Sequence, residues 1–278
     1  MPSSPTLTVR SKDDDPRRAP GAPRRALVVG VVAVALSLAG CSSASPSATS
    51  TAPTPSAGTV FDLAVPEKTA ALPLVDQAGR TVTLASLRGK TVVLVDFLSL
   101  CQEVCPLTSA NVREVSQSLD AAHLSGDVQI LETTVDPERD TPQRLAAYQK
   151  LFGARAGWSF VTGSPTDVAA LWKSFGVAYE RTPTTATPPP KDWLTGAALT
   201  YDVDHQDVVV VIGPDGHERW LIDGTPKVSS PSTVPAPLQS FLNEDGHANE
   251  TAPADPTWTP ADVVSAVRYV VAGATSRS

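Results

Sequence analysis

Cysteine is scarce in this chain of 278 residues: Cys41, Cys101 and Cys105 are the three it has. So few thiols exclude a miniature fold in which disulfides stand in for a core. Apolar length is short as well. The run Ala26 to Ala39 has fourteen residues, whereas crossing a ~30 Å hydrocarbon core comfortably takes about 20. There is no internal repeat. Positive charge is also in deficit, with 22 Lys and Arg against 29 Asp and Glu, a formal net charge of −7. The first forty residues hold six Lys or Arg and three Asp, so the remainder carries about −10. An acidic domain without a basic run is a poor ligand for phosphate backbones, which excludes nucleic acid as the expected partner and favours a basic protein surface.

What is present begins with an export signal. Arg17, Arg18, Arg24 and Arg25 precede the apolar run, and Leu38-Ala39-Gly40-Cys41 closes it. That ending resembles a bacterial lipoprotein signal, which implies cleavage before Cys41, lipidation of Cys41 and a place at the extracytoplasmic face of the cell membrane. A transmembrane anchor beside a cysteine is the alternative, and Arg24-Arg25 also raises twin-arginine export. Ser42 to Gly58 contains only Ser, Ala, Thr, Pro and Gly, with no apolar surface to offset the entropy of ordering. As a flexible coil it would reach roughly 20–25 Å, enough to hold a domain clear of headgroups. The expected organisation is a signal over 1–40, a linker over 41–59 and one folded domain over 60–278.

Within that domain, Leu72 to Leu84 reads as a hairpin turning at Gln77-Ala78-Gly79. Thr91 to Phe97 is a continuous β-branched run, expected of a strand buried on both faces. Leu107, Val112, Val115 and Leu119 fall near helical spacing over Pro106 to Leu119. The alternation repeats with a strand over Val128 to Val135 and a helix from Pro142 to about Phe152. A short strand over Trp158 to Val161 and a helix over Thr166 to Phe175 follow. Asp207 to Ile212 and His217 to Ile222 flank Gly213-Pro-Asp-Gly216 as a second hairpin, and Pro260 to Val271 reads as a final helix. This order predicts an α/β fold with a mixed central sheet flanked by helices. Two insertions, over 182–198 and 225–256, interrupt it, proline-rich through Thr182 to Pro190 and Pro226 to Pro256; both are expected at the surface, and loops of that length are usually functional or disordered.

The chemistry concentrates in Leu98-Ser-Leu-Cys-Gln-Glu-Val-Cys-Pro106, at the carboxyl end of the buried strand and the start of a helix. Ligands collect there in open α/β sheets, and a helix N-terminus favours thiolate, which is both nucleophile and metal ligand. Spacing of four brings Cys101 and Cys105 to one side of the first turn. A stabilising disulfide would close only five residues and constrain the unfolded chain little, so a redox pair or metal ligands are the sharper readings.

Strand–Cys-x-x-x-Cys-Pro–helix is followed by Thr134-Val-Asp-Pro-Glu-Arg-Asp-Thr-Pro142. Tyr201-Asp-Val-Asp-His205 then precedes a strand and a Gly-Pro-Asp-Gly turn. In that order, over roughly Leu72 to Gly224 and the last helix, the motifs resemble the Sco/SenC family. The resemblance implies a thioredoxin-like fold and copper held by Cys101, Cys105 and His205. It also implies assistance to assembly of the copper centre of cytochrome c oxidase, with a copper-receiving oxidase subunit as partner. Two soft thiolates and an imidazole suit copper, whereas zinc would want a fourth ligand. Asp136 is expected either beside the metal, tuning its ligands, or in a strand end whose Asp140 or Thr141 caps the next helix. His123, His217 and His247 match no ligand position. The chain departs from the common family pattern in having Gln102 and Glu103, not Pro and Asp, between the cysteines, and Ser99-Leu100 before the first. A thiol–disulfide oxidoreductase using the same two cysteines is the enzymatic alternative. Oxidoreductases of this fold carry a cis-proline just before the strand that here begins after Asp204-His205, and no proline stands there.

Overall fold

A computed structural model of the chain describes residues 52–275. The predicted signal, Cys41 and most of the linker lie outside those residues. In chain order the strands and helices are β1 (Thr59–Ala64), α1 (Glu67–Ala70), β2 (Leu74–Asp76), β3 (Thr81–Val82), β4 (Thr91–Phe97), α2 (Cys105–Ala121), β5 (Val128–Thr134), α3 (Pro142–Phe152), β6 (Trp158–Gly163) and α4 (Pro165–Ser174). Then come β7 (Tyr179–Pro183), β8 (Tyr201–His205), β9 (Val208–Ile212), β10 (His217–Asp223), β11 (Thr225–Pro226), α5 (Ala236–Gln239), α6 (Glu244–Asn249), β12 (Thr257–Trp258) and α7 (Pro260–Thr275).

An eight-stranded mixed sheet runs β1-β10-β9-β4-β5-β6-β2-β3. β4, β5 and β6 are parallel neighbours joined by α2 and α3, while β9 lies antiparallel to β4 and continues through a hairpin into β10. A parallel β-α-β-α-β unit completed by an antiparallel hairpin and a terminal helix is the thioredoxin arrangement. All seven residues of β4 and all five of β9 are buried, as their unbroken β-branched runs predict. α2 and α7 pack together, and α7 also covers β4 and β9.

The local signals act as expected at the helix ends. Thr141, not Asp140, caps α3: its hydroxyl accepts from the Arg144 amide at 3.3 Å with Pro142 at the first helical position. Gly153 ends the helix at φ 61°, a conformation open to glycine without strain. An aromatic cluster pins the end of β4. The Phe97 ring lies 5.6 Å from Tyr148 and 5.3 Å from Phe160, and Tyr148 lies 5.9 Å from Trp193. Rings at these tilted separations add about 0.5–1.5 kcal/mol per pair to their burial.

Two features depart from the sequence reading. β1 is a strand that the sequence pattern did not mark, and it adds an edge to the sheet by pairing with β10. The two insertions are structured rather than loose. β7 pairs antiparallel with β8 across the first, which folds back on α3 through Asp192 and Arg144. The second contains α5 and α6, with Leu238 fully buried. Among the described residues, no helix is long and apolar enough to cross a membrane.

Candidate metal centre

Cys101 lies in the irregular turn between β4 and α2, and Cys105 is the first residue of α2. Both are unbridged and buried, Cys101 with 7% of its surface exposed and Cys105 with none. The turn folds back on itself: the Leu98 amide donates to Cys105 Sγ at 3.4 Å, and the Cys105 amide donates to Cys101 Sγ at 3.4 Å. β8 ends in His205 and brings its ring from a hundred residues downstream. His205 Nε2 stands 3.3 Å from Cys105 Sγ. The ligating atoms of Cys101, Cys105 and His205 all lie within 4.8 Å of one another. Among the described residues this cluster comprises those three side chains.

The charges are divided unevenly. The hydrogen bond from Cys105 holds the Cys101 thiol well below its usual range despite burial, and His205 adds to the effect. Burial pushes Cys105 well up, and its donation to Cys101 reinforces the shift. For His205, burial opposes the charged ring, yet hydrogen bonds to Asp96 and Cys101 outweigh it and raise the ring well above its ordinary value. These directions favour the charged forms of Cys101 and His205 and the neutral form of Cys105. Binding a soft ion here displaces protons from Cys105 and from Nε2.

Asp96 orients the ring. Its Oδ2 lies 2.7 Å from His205 Nδ1 and its Oδ1 accepts the Val208 amide at 2.6 Å, joining β4 to the residues around the histidine. The Gln206 carbonyl also lies 2.6 Å from Nδ1. With Nδ1 so occupied, Nε2 is left for the sulfurs and their ion. The signal for Asp96 was in the sequence, as a lone acid inside the β-branched run of β4.

Asp136 stands elsewhere. It is buried, accepts from the Tyr201 hydroxyl at 3.1 Å and pairs with Arg139. Arg139 in turn donates to the Tyr201 carbonyl at 2.7 Å and stacks 3.7 Å from the Tyr201 ring centroid. Asp136 therefore braces the start of β8, the strand that delivers His205, and acts on the site through that strand. Asp140 fixes the cysteine turn: it accepts from the Ser99 amide at 3.1 Å, the Ser99 hydroxyl and the Thr134 hydroxyl. Burial raises its carboxyl to about 6 despite those donors. His217 and His247 pair with Asp62 and Glu250, away from the cluster.

The donor set fits copper. Two sulfurs and one ring nitrogen form a soft, three-sided site, whereas a structural zinc site closes with four. The chain is also similar to known proteins. The SCO1/SenC family model matches residues 65–241. A protein of Stutzerimonas stutzeri named for copper binding is 30% identical over 151 residues, covering 54% of this chain and 67% of that one. A SCO1 protein homologue of Bacillus subtilis is 32% identical over 146 residues, 51% of this chain and 66% of that one. The chain thus spans about two thirds of the length of these two relatives. Among solved structures, copper-bound ScoI of Arabidopsis thaliana aligns with 60% of this chain and 87% of its own, at 25% identity and a TM-score of 0.45. With well over half of its residues matched by the family model, the chain belongs to the SCO1/SenC family.

Proposed function

We propose that this protein is an extracytoplasmic copper metallochaperone that assists assembly of the copper centre of cytochrome c oxidase. The observation that carries the reading is the convergence of Cys101, Cys105 and His205, with donor atoms within 4.8 Å of one another. Copper is the cargo. As copper(I) it is held mainly by the two sulfurs, and His205 completes the site for copper(II). A three-ligand site leaves a coordination position for an incoming ligand, which handover by ligand exchange requires. The acidic character of the domain suits a basic patch on the copper-receiving oxidase subunit. Lipid on Cys41 would hold the domain at the membrane that contains the oxidase, and the lipoprotein-like Leu38-Ala39-Gly40-Cys41 supports that placement.

The test is copper stoichiometry of the full chain. Cys101→Ser, Cys105→Ser and His205→Ala are each expected to lower it, and wild-type binding in all three would end the reading.

A second reading is thiol–disulfide exchange, favoured by the split between the lowered Cys101 and the raised Cys105. In that reaction Cys101 attacks a partner disulfide, expelling one partner thiolate, and Cys105 then attacks the mixed disulfide and releases the second. The chain's own dithiol becomes a disulfide as the partner is reduced. Insulin reductase turnover by the copper-free protein separates the two readings.

A further inference from the structure

Both flanks of Cys101 are gripped by segments outside the thioredoxin core. On the upstream side, the Ser99 carbonyl accepts from Trp193 Nε1 at 2.7 Å. Trp193 lies in the first insertion, whose neighbour Asp192 forms a two-pronged pair with Arg144 at 3.0 and 2.6 Å. On the downstream side, the Gln102 carbonyl accepts from the Asn243 amide at 2.9 Å, and Gln102 Nε2 donates to the Phe241 carbonyl at 3.0 Å. Asn243 Nδ2 donates to Glu103 Oε1 at 3.0 Å. These partners belong to the second insertion, which is anchored to α2 by Arg113 donating to the Thr233 carbonyl at 2.7 Å. The approach is close: a Cβ on Gly246 would lie 2.3 Å from the Gln102 oxygen. Gly246 has no positive φ, so space alone demands glycine there.

We infer that the two insertions form a clamp whose jaws, Trp193 and the Phe241–Gly246 turn, fix the backbone on either side of Cys101 and hold its sulfur in ligating position before any metal arrives. This rests on the proposed role of Cys101 as a ligand at this site. Trp193, Asn243 and Gly246 are positioning residues, since each acts on Cys101 through its neighbours Ser99, Gln102 and Glu103. Of the three residues between the cysteines, Gln102 and Glu103 are the ones that the second jaw holds through their side chains. Their chemistry thus answers to the insertion: an amide and a carboxylate can bond the turn, and a proline at 102 could not donate to Phe241. Preorganisation of this kind lowers the ordering cost of binding, because a ligand on a free loop must first be immobilised.

The test reads the apo, reduced full chain by the rate at which iodoacetamide alkylates Cys101, together with the reduction potential of the Cys101–Cys105 pair. Trp193→Phe keeps the ring against Tyr148 and deletes the donor to Ser99. Asn243→Asp keeps the helix cap for the Gly246 amide and turns the contact with Glu103 into repulsion. Gly246→Ala favours the helix intrinsically while pushing on the Gln102 carbonyl. Each is expected to raise the alkylation rate about tenfold, the factor that corresponds to one net hydrogen bond, and to shift the potential. Asn243→Asp combined with Glu103→Gln restores a donor across the contact and is expected to return both readouts toward wild type. Ser229→Ala, which removes a contact of the same insertion with Glu114 on α2, is expected to leave both unchanged. Wild-type alkylation and potential in the three folded single variants, whatever their melting temperatures, would overturn the clamp. Failure of the double variant to reverse Asn243→Asp would overturn it as well. No copper enters the measurement, so a chain that binds no copper would sink the chaperone reading and leave this result standing.

Discussion

Asp96 meets His205 Nδ1 at 2.7 Å while its other oxygen takes the Val208 amide at 2.6 Å. Asparagine in its place can keep the bond to Val208, but its amide then presents a donor to a ring nitrogen that is itself a donor. The Gln206 carbonyl still holds Nδ1, so the tautomer survives and the ring loses its anion. Asp96→Asn is expected to weaken copper binding about tenfold, the low end for the partner behind a ligating histidine, measured by competition with a chelator of known affinity. Glu132 offers a second test at this scale. It is buried in the middle of β5, accepts from Ser109 at 2.6 Å and Trp158 at 2.9 Å, and burial raises its carboxyl from 4.5 to about 8 despite those donors. Between those values the folded chain holds a proton that the unfolded chain has lost. Stability therefore falls as pH rises through that window, by about 1.4 kcal/mol per pH unit from this group, and levels above about 8. Glu132→Gln removes that slope. Urea denaturation at several values of pH is expected to show the variant gaining on wild type as pH rises, and parallel curves would contradict it.

The core elements were legible because their signals are local. β4 and β9 are unbroken β-branched runs, and α3 carries its cap, its first-position proline and its closing glycine in sequence. The two cysteines and the histidine were legible from their motifs in order. What escaped depends on tertiary partners. β1 is mostly exposed and its pairing with β10 leaves no strong alternation. Asp136 and Asp96 look alike on paper, each a lone acid beside valine, and only the fold decides that Asp96 faces the ring while Asp136 braces β8. The proline-rich insertions have a loop composition, yet Asp192 gathers Arg144, Thr195 and the Leu194 amide, which no spacing rule foretells. That knot is an element with its own energetics. The Arg144–Asp192 pair is mostly shielded from water, and deleting one partner of such a pair leaves the other uncompensated. Asp192→Ala is expected to cost about 3 kcal/mol, read by urea denaturation with an unchanged slope.

At the scale of the whole molecule, the sheet serves to bring one strand end and one helix start together with a strand from far along the chain. On the proposed reading, its acidic charge suits a basic protein face, and a lipid on Cys41 would set where that face is met. Cys41→Ser is expected to release the protein from the membrane fraction into the soluble one, and retention in membranes would point to a spanning anchor instead. Everything about function returns to whether His205 and the paired sulfurs share one ion. The direct measurement is an anaerobic copper titration of the full chain followed by absorption and paramagnetic resonance, on wild type and on His205→Ala. One copper(II) per chain with a sulfur-to-copper charge-transfer band that shifts or collapses in His205→Ala is the predicted result. A band and resonance indifferent to the loss of His205 would contradict the account.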